Sequence, residues 1–92
     1  MKNVVNPPDI AVALNYDGRN APRVTAKGRR KTAEEIIDIA KANDIPIHTD
    51  VALVNVLAKV PLGDEIPREL YVAVAEVIAF AYLLSGKKPG GE

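Results

Sequence analysis

The sequence has no cysteine, no tryptophan, one histidine, one phenylalanine and three tyrosines in 92 residues. Without cysteine there are no disulfides, thiolate metal sites or cysteine nucleophiles. The single histidine, His48, cannot make a histidine pair or a cysteine-histidine metal cluster within one chain, and at a strand end it reads as a surface side chain. Tyr16, Tyr71, Phe80 and Tyr82 offer little for stacking on bases, and three of them fall in one apolar, core-like segment near the C-terminus. There is no internal repeat and no glycine-rich phosphate loop: Gly28-Arg29-Arg30-Lys31-Thr32 precedes a helix but lacks the second glycine and the spacing. The N-terminal residues do not show the basic-then-apolar pattern of a signal peptide. No apolar run is long enough to span a bilayer. The nearest, residues 70–84, holds one charge, Glu76, and as a helix would extend about 22 Å against a hydrocarbon core of about 30 Å. It reads as a core helix buried on most sides, with an interaction surface as the second reading.

Net charge is missing too, since 12 basic residues balance 12 acidic ones. The balance hides a division: residues 1–31 carry seven basic and two acidic side chains, and residues 32–76 carry three basic and nine acidic ones. A neutral total argues against a general attraction to nucleic acid or acidic membranes. Hydrophobic residues make up 48% of the chain and charged residues 26%, the composition of a folded protein rather than a disordered one. A chain this short makes one domain, and its stability must come from a single apolar core.

Apolar patterning places the elements. A short strand at Asn3-Val4-Val5 is interrupted by Pro7 and Pro8, which donate no ladder hydrogen bonds. The run Ile10 to Tyr16 reads as a buried strand closed by a turn at Asp17-Gly18, and a surface loop follows to Pro22. Residues 23–27 alternate as a strand that Gly28 ends. Thr32 and Glu35 form a capping-box pattern, predicting a helix to about Ala42 with Ala33, Ile36, Ile37, Ile39 and Ala40 inward and Asn43-Asp44 as its stop. Residues 45–48 resume an extended path. Asp50 is the expected N-cap of a second helix that turns Val51, Val54, Leu57 and Ala58 inward and is broken by Pro61 and Gly63. Pro67 opens a last helix, from residue 68 to about 84. The architecture is α/β.

Two clusters invite a chemical reading. Lys27, Arg29, Arg30 and Lys31 put four positive charges in five residues at a helix entry, where the dipole is already positive. This is either a solvated loop or a site for an acidic partner. In Asn6-Pro7-Pro8-Asp9, an asparagine before proline can attack its own carbonyl carbon with its side-chain nitrogen. That forms a succinimide and releases the proline nitrogen, provided the turn holds the attack geometry. An ordinary turn explains the same residues.

Asn6-Pro7 ahead of Ile10-Ala11-Val12-Ala13-Leu14-Asn15-Tyr16-Asp17, then Ala21-Pro22-Arg23-Val24-Thr25-Ala26-Lys27-Gly28, then Gly63-Asp64-Glu65-Ile66-Pro67-Arg68-Glu69-Leu70-Tyr71 and Ala73-Val74-Ala75-Glu76-Val77, resemble a known family in order and spacing. It is the C-terminal cytoplasmic domain of the FlhB/YscU family, the substrate-specificity switch proteins of flagellar and injectisome type III export. The resemblance runs from about Val4 to Leu84. It implies a small mixed β-sheet of about four strands surrounded by about four helices in one domain, residues 1–86, with a flexible tail at 87–92. It also implies a cytoplasmic protein at the export apparatus that is a non-enzymatic binding module. Its partners would be export substrates, the ruler protein or other gate components, with no cofactor, metal, nucleic acid or direct membrane insertion. The family's substrate-docking surface carries over to Ala21, Pro22, Ala75 and Ile78.

Two departures qualify the resemblance. The family's self-cleavage motif is Asn-Pro-Thr-His; Asn6 and Pro7 match it, but Pro8 and Asp9 do not. Pro8 restricts Pro7 in front of it, so scission is expected to be absent or slow. Full members also carry a membrane domain, and Met1 a few residues ahead of the motif suggests a stand-alone homologue. Three readings are open: a docking module, a self-cleaving switch cut between Asn6 and Pro7, and a basic-loop binder of an acidic protein or nucleic acid.

Overall fold

The computed structural model describes residues 2–6 and 9–85. Pro7, Pro8 and the tail expected at 87–92 lie outside them. Four strands, β1 (Lys2–Asn6), β2 (Ile10–Asn15), β3 (Arg23–Arg29) and β4 (Ile47–Thr49), form one sheet in the order β3-β2-β1-β4. The first three are antiparallel neighbours and β4 runs parallel to β1, so the sheet is mixed as expected. The helices are α1 (Lys31–Ala42), α2 (Val51–Leu57) and α3 (Tyr71–Ser85), the last preceded by a 3-10 turn at Arg68–Leu70 rather than being continuous from residue 68.

Side-chain size along β2 explains how both faces are covered. Ile10, Val12 and Leu14 point to one side, where they join Val5, Val24, Leu53, Val54 and Leu57 and the inner face of α3 in the larger core. The small Ala11 and Ala13 point to the other, where α1 settles through Ala33 and Ala40 beside Val4. At Ala13/Leu14 the register with β3 shifts by one residue, leaving Thr25 as the extra residue of a bulge. Residues 63–66 close over the start of β3. The Val24 N–H donates to the Asp64 carbonyl at 3.0 Å, and the Ile66 N–H to that of Pro22 at 2.9 Å.

Several expectations need correction. β3 does not stop at Gly28 but continues to Arg29, and α1 starts two residues later without a capping box. Thr32 is already in the first helical turn, and its side chain lies over Gly28 where a Cβ would otherwise be. Arg30 makes the turn at φ 54°, outside the region most non-glycine residues adopt. Ile39 and Val51 are exposed rather than inward, and Leu53 takes the core position on α2. α2 ends at Leu57, ahead of Pro61 and Gly63. The Asp50 cap forms as expected: its Oδ1 accepts the Leu53 N–H at 2.9 Å. The largest correction is α3, which is not buried on most sides. Val74, Val77, Ile78 and Ala81 face the core, whereas Tyr71, Val72, Phe80 and Leu83 are exposed.

Candidate docking surface

The four residues carried over as a docking surface separate into two kinds. Pro22 is buried and Ile78 is only 7% exposed, within the larger core. Ala21 is half-buried and Ala75 is exposed on α3. Ala75 and Ile78, one turn apart, thus straddle the boundary between surface and core.

The loop ahead of Ala21 is held by its own chemistry. The Asp17 carboxylate accepts the backbone N–H groups of Arg19 at 2.8 Å and Asn20 at 2.9 Å, and the Asn20 side-chain amide at 3.2 Å. These donors favour the ionised form and lower its pKa from 3.8 to about 2, the Arg19 N–H having the largest effect.

The basic cluster also divides. Lys27 is half-buried and turned inward, its Nζ donating to the carbonyls of Val60 at 2.8 Å and Ala58 at 3.1 Å beyond the end of α2. Arg29, Arg30 and Lys31 remain exposed at the α1 entry.

Asn6 and Asp9, the described residues on either side of Pro7-Pro8, are tied to different elements. The Asn6 carbonyl accepts the Asp50 N–H at 3.2 Å, and its Oδ1 accepts the Thr49 hydroxyl at 3.4 Å. The Asp9 carbonyl accepts the Arg30 N–H at 2.8 Å. His48 is half-buried rather than a plain surface residue. Its Nε2 lies 4.0 Å from Asp50 Oδ2, and its ring meets that of Phe80 edge-on with centroids 6.3 Å apart. Among the described residues no group of acidic or histidine side chains could hold a metal ion, and no helix is long and apolar enough to cross a membrane.

The outer face of α3, where Val72 and Leu83 are 74% and 77% exposed, fits the second of the two readings of this segment, an interaction surface, rather than the first, a helix buried on most sides. The available signal was a fifteen-residue helix apolar on every side, more apolar surface than contact with one sheet can cover.

Comparison with known proteins agrees with this architecture. The model of the FlhB HrpN YscU SpaS Family matches residues 4–81. An uncharacterized Bacillus subtilis protein, YlqH, is 43% identical over 76 residues, covering 80% of this chain and 82% of its own. The flagellar biosynthetic protein FlhB of Escherichia coli is 39% identical over 84 residues, covering 88% of this chain but 22% of its own length. The chain thus spans about a quarter or less of the FlhB relatives it matches. Among solved structures, the cytoplasmic domain of Shewanella putrefaciens FlhB superposes with a TM-score of 0.83 at 31% identity, covering 94% of this chain and 72% of that one. A proline-to-alanine variant of the EscU C-terminal domain gives 0.80 at 31% identity, covering 86% and 82%. With a family model matching most of its length and a shared fold, the chain belongs to the FlhB HrpN YscU SpaS Family.

Proposed function

We propose that this domain is a binding module of the flagellar or type III export apparatus, working at its cytoplasmic face. Its partners are export substrates, the ruler protein or other gate components. The observation that carries this reading is the match in fold and sequence to the cytoplasmic domain of FlhB, combined with an accessible Ala75 on α3. Small side chains at Ala21 and Ala75 leave shallow apolar ground for a short apolar segment of a substrate. Immobilised domain should bind purified export substrates, and Ala75→Lys should weaken binding about ten-fold with an unchanged circular dichroism spectrum. Equal binding by the variant would contradict the assignment.

The same reading keeps the Asn6-Pro7 bond intact, or breaks it slowly. Cyclisation needs the Asn6 side-chain nitrogen to reach its own carbonyl carbon, with a proton passing to the departing Pro7 nitrogen. The family's threonine and histidine beside that bond are Pro8 and Asp9 here. Intact mass spectrometry of aged protein should give one species of 9.9 kDa. Rapid appearance of a fragment beginning at Pro7 would favour the self-cleaving switch instead.

A further inference from the structure

β3 is an outer strand of the sheet, and only its first half is covered. In an antiparallel pair, alternate residues turn their N–H and C=O toward the neighbouring strand, and the residues between them turn theirs away. Val24 turns outward, where its N–H donates to the Asp64 carbonyl at 3.0 Å and its carbonyl accepts the Gly63 N–H at 2.7 Å. Past the bulge at Thr25 the alternation moves by one residue. Ala26 and Gly28 now face Ala13 and Ala11 of β2, and the Arg30 N–H donates inward to the Asp9 carbonyl. Lys27 and Arg29, about 7 Å apart, therefore each present an N–H and a C=O to the outside, with no main-chain partner there among the described residues.

Cations frame this open half. The side chains of Lys27 and Arg29 lie on the face of β3 toward α2, since they oppose Val12 and Ile10 of the larger core. Lys27 donates to the Ala58 and Val60 carbonyls, which brings the exposed Lys59 alongside. Arg29, Arg30 and Lys31 are exposed where β3 ends. Asp9, Glu34 and Glu35 are the acidic residues near them in the chain, and among the described residues no ion pair joins the two groups.

The charge and the free backbone groups together select the occupant. A second copy adding β3 to β3 would set Lys27 and Arg29 against their own equivalents, and like charges across a strand pair oppose it. A helix has its backbone bonded internally and would leave the edge groups unpaired. A polyanion could accept from the two N–H groups but would bring acceptors against the two carbonyls. An extended segment supplies donors and acceptors alike, as residues 63–64 already do for Val24. We infer that the open half of β3 takes an extended acidic segment of a partner protein as an added strand, with aspartate or glutamate at alternate positions facing Arg29 and Lys59. This stands apart from the docking proposed at Ala21, Pro22, Ala75 and Ile78: the open half lies at the far end of β3 from Pro22, and its test involves none of those residues.

The experiment is a heteronuclear NMR titration of the isotope-labelled chain with three short synthetic peptides. One alternates threonine and glutamate, one alternates threonine and lysine, and the third repeats the first with every backbone nitrogen methylated. The glutamate peptide should shift the amide signals of Lys27, Gly28, Arg29 and Lys59 before others, and bind about ten-fold more tightly than the lysine peptide. At about ten times its Kd it should slow hydrogen exchange at the Lys27 and Arg29 amides about ten-fold, and the methylated peptide should not. Arg29→Glu and Lys59→Glu, both at exposed positions, should each weaken the glutamate peptide about three-fold or more and leave the rest of the spectrum unchanged. Equal binding of the glutamate and lysine peptides would overturn the inference, as would unchanged binding by both variants, shifts centred elsewhere, or none at millimolar peptide. Equal binding of the methylated peptide would overturn it in favour of contact through charge alone, as a polyanion would make. Protection of the two amides that grows with protein concentration in the absence of peptide would assign the edge to a second copy and overturn it as well.

Discussion

Asn3 is 1% exposed, on the β1 face that looks toward α2 and α3, and neither end of its side-chain amide has a hydrogen-bond partner. A buried amide without partners costs roughly 1–3 kcal/mol. Asn3→Val, which suits a strand and keeps a similar volume, should therefore raise stability by about 1 kcal/mol in urea unfolding. A lower midpoint would mean that the amide is satisfied in solution. Asp17 is the opposite case, an exposed carboxylate fully engaged by its own turn. Its folded-state pKa of about 2 lies below the ordinary 3.8, so its contribution to the loop is present above about pH 4. That contribution is lost as pH falls from 3.8 toward 2. In an NMR acid titration the Arg19 and Asn20 amide signals should move with a midpoint near 2, and Asp17→Ala should abolish the transition. A midpoint near 4 would contradict the hydrogen-bonded turn. The Asp50 cap was legible from residue type and position alone, because an N-cap interaction is local. The role of Lys27 was not, since its acceptors lie more than 30 positions away in sequence.

At the level of elements, the β3–α1 junction shows where local patterns stop being informative. Thr32 followed by Glu35 is a capping pattern, yet β3 continues to Arg29 and only Arg30 separates it from α1. With no room for a cap, Thr32 becomes part of the first turn and rests against Gly28. The glycine is required there by close approach rather than by an unusual φ. Gly28→Ala should destabilise the domain by about 1–3 kcal/mol, because its methyl group would fall on the Thr32 side chain. A neutral outcome in thermal unfolding would show that this junction is loosely packed. The strands were largely readable from alternation, and on α2 spacing found Val54 and Leu57 but put Val51 inward in place of Leu53. The orientation of α3 was not, because apolar residues on all its sides give no phase to the pattern. On the outer side of that surface Val72, Ala75, Ala79 and Leu83 are exposed.

For the whole molecule, the division of charge along the chain is partly cancelled in space. Arg23 pairs with Glu65 at 3.3 Å and Lys27 holds carbonyls beyond α2, so two cations of the basic segment serve the acidic one. Arg29, Arg30 and Lys31 stay exposed together at the α1 entry, Lys2 and Arg19 are exposed singly, and the outer side of α3 is exposed as well. A three-layer α/β domain with one face held by α1 and the other by α2 and α3 is the frame that presents them. The family and the fold were recognisable from motifs spread along the chain. The division of Ala21, Pro22, Ala75 and Ile78 between surface and core depends on how α3 is rolled against the sheet, which those motifs do not specify.

The central claim is that this domain acts by binding within an export apparatus. It is tested most directly by measuring substrate export in cells whose FlhB lacks its cytoplasmic domain, with this chain supplied in trans. The account predicts that wild-type chain restores export and that Ala75→Lys, folded and present at the same level, does not. Absence of rescue by the wild-type chain in its own cellular background, or equal rescue by the variant, would contradict it.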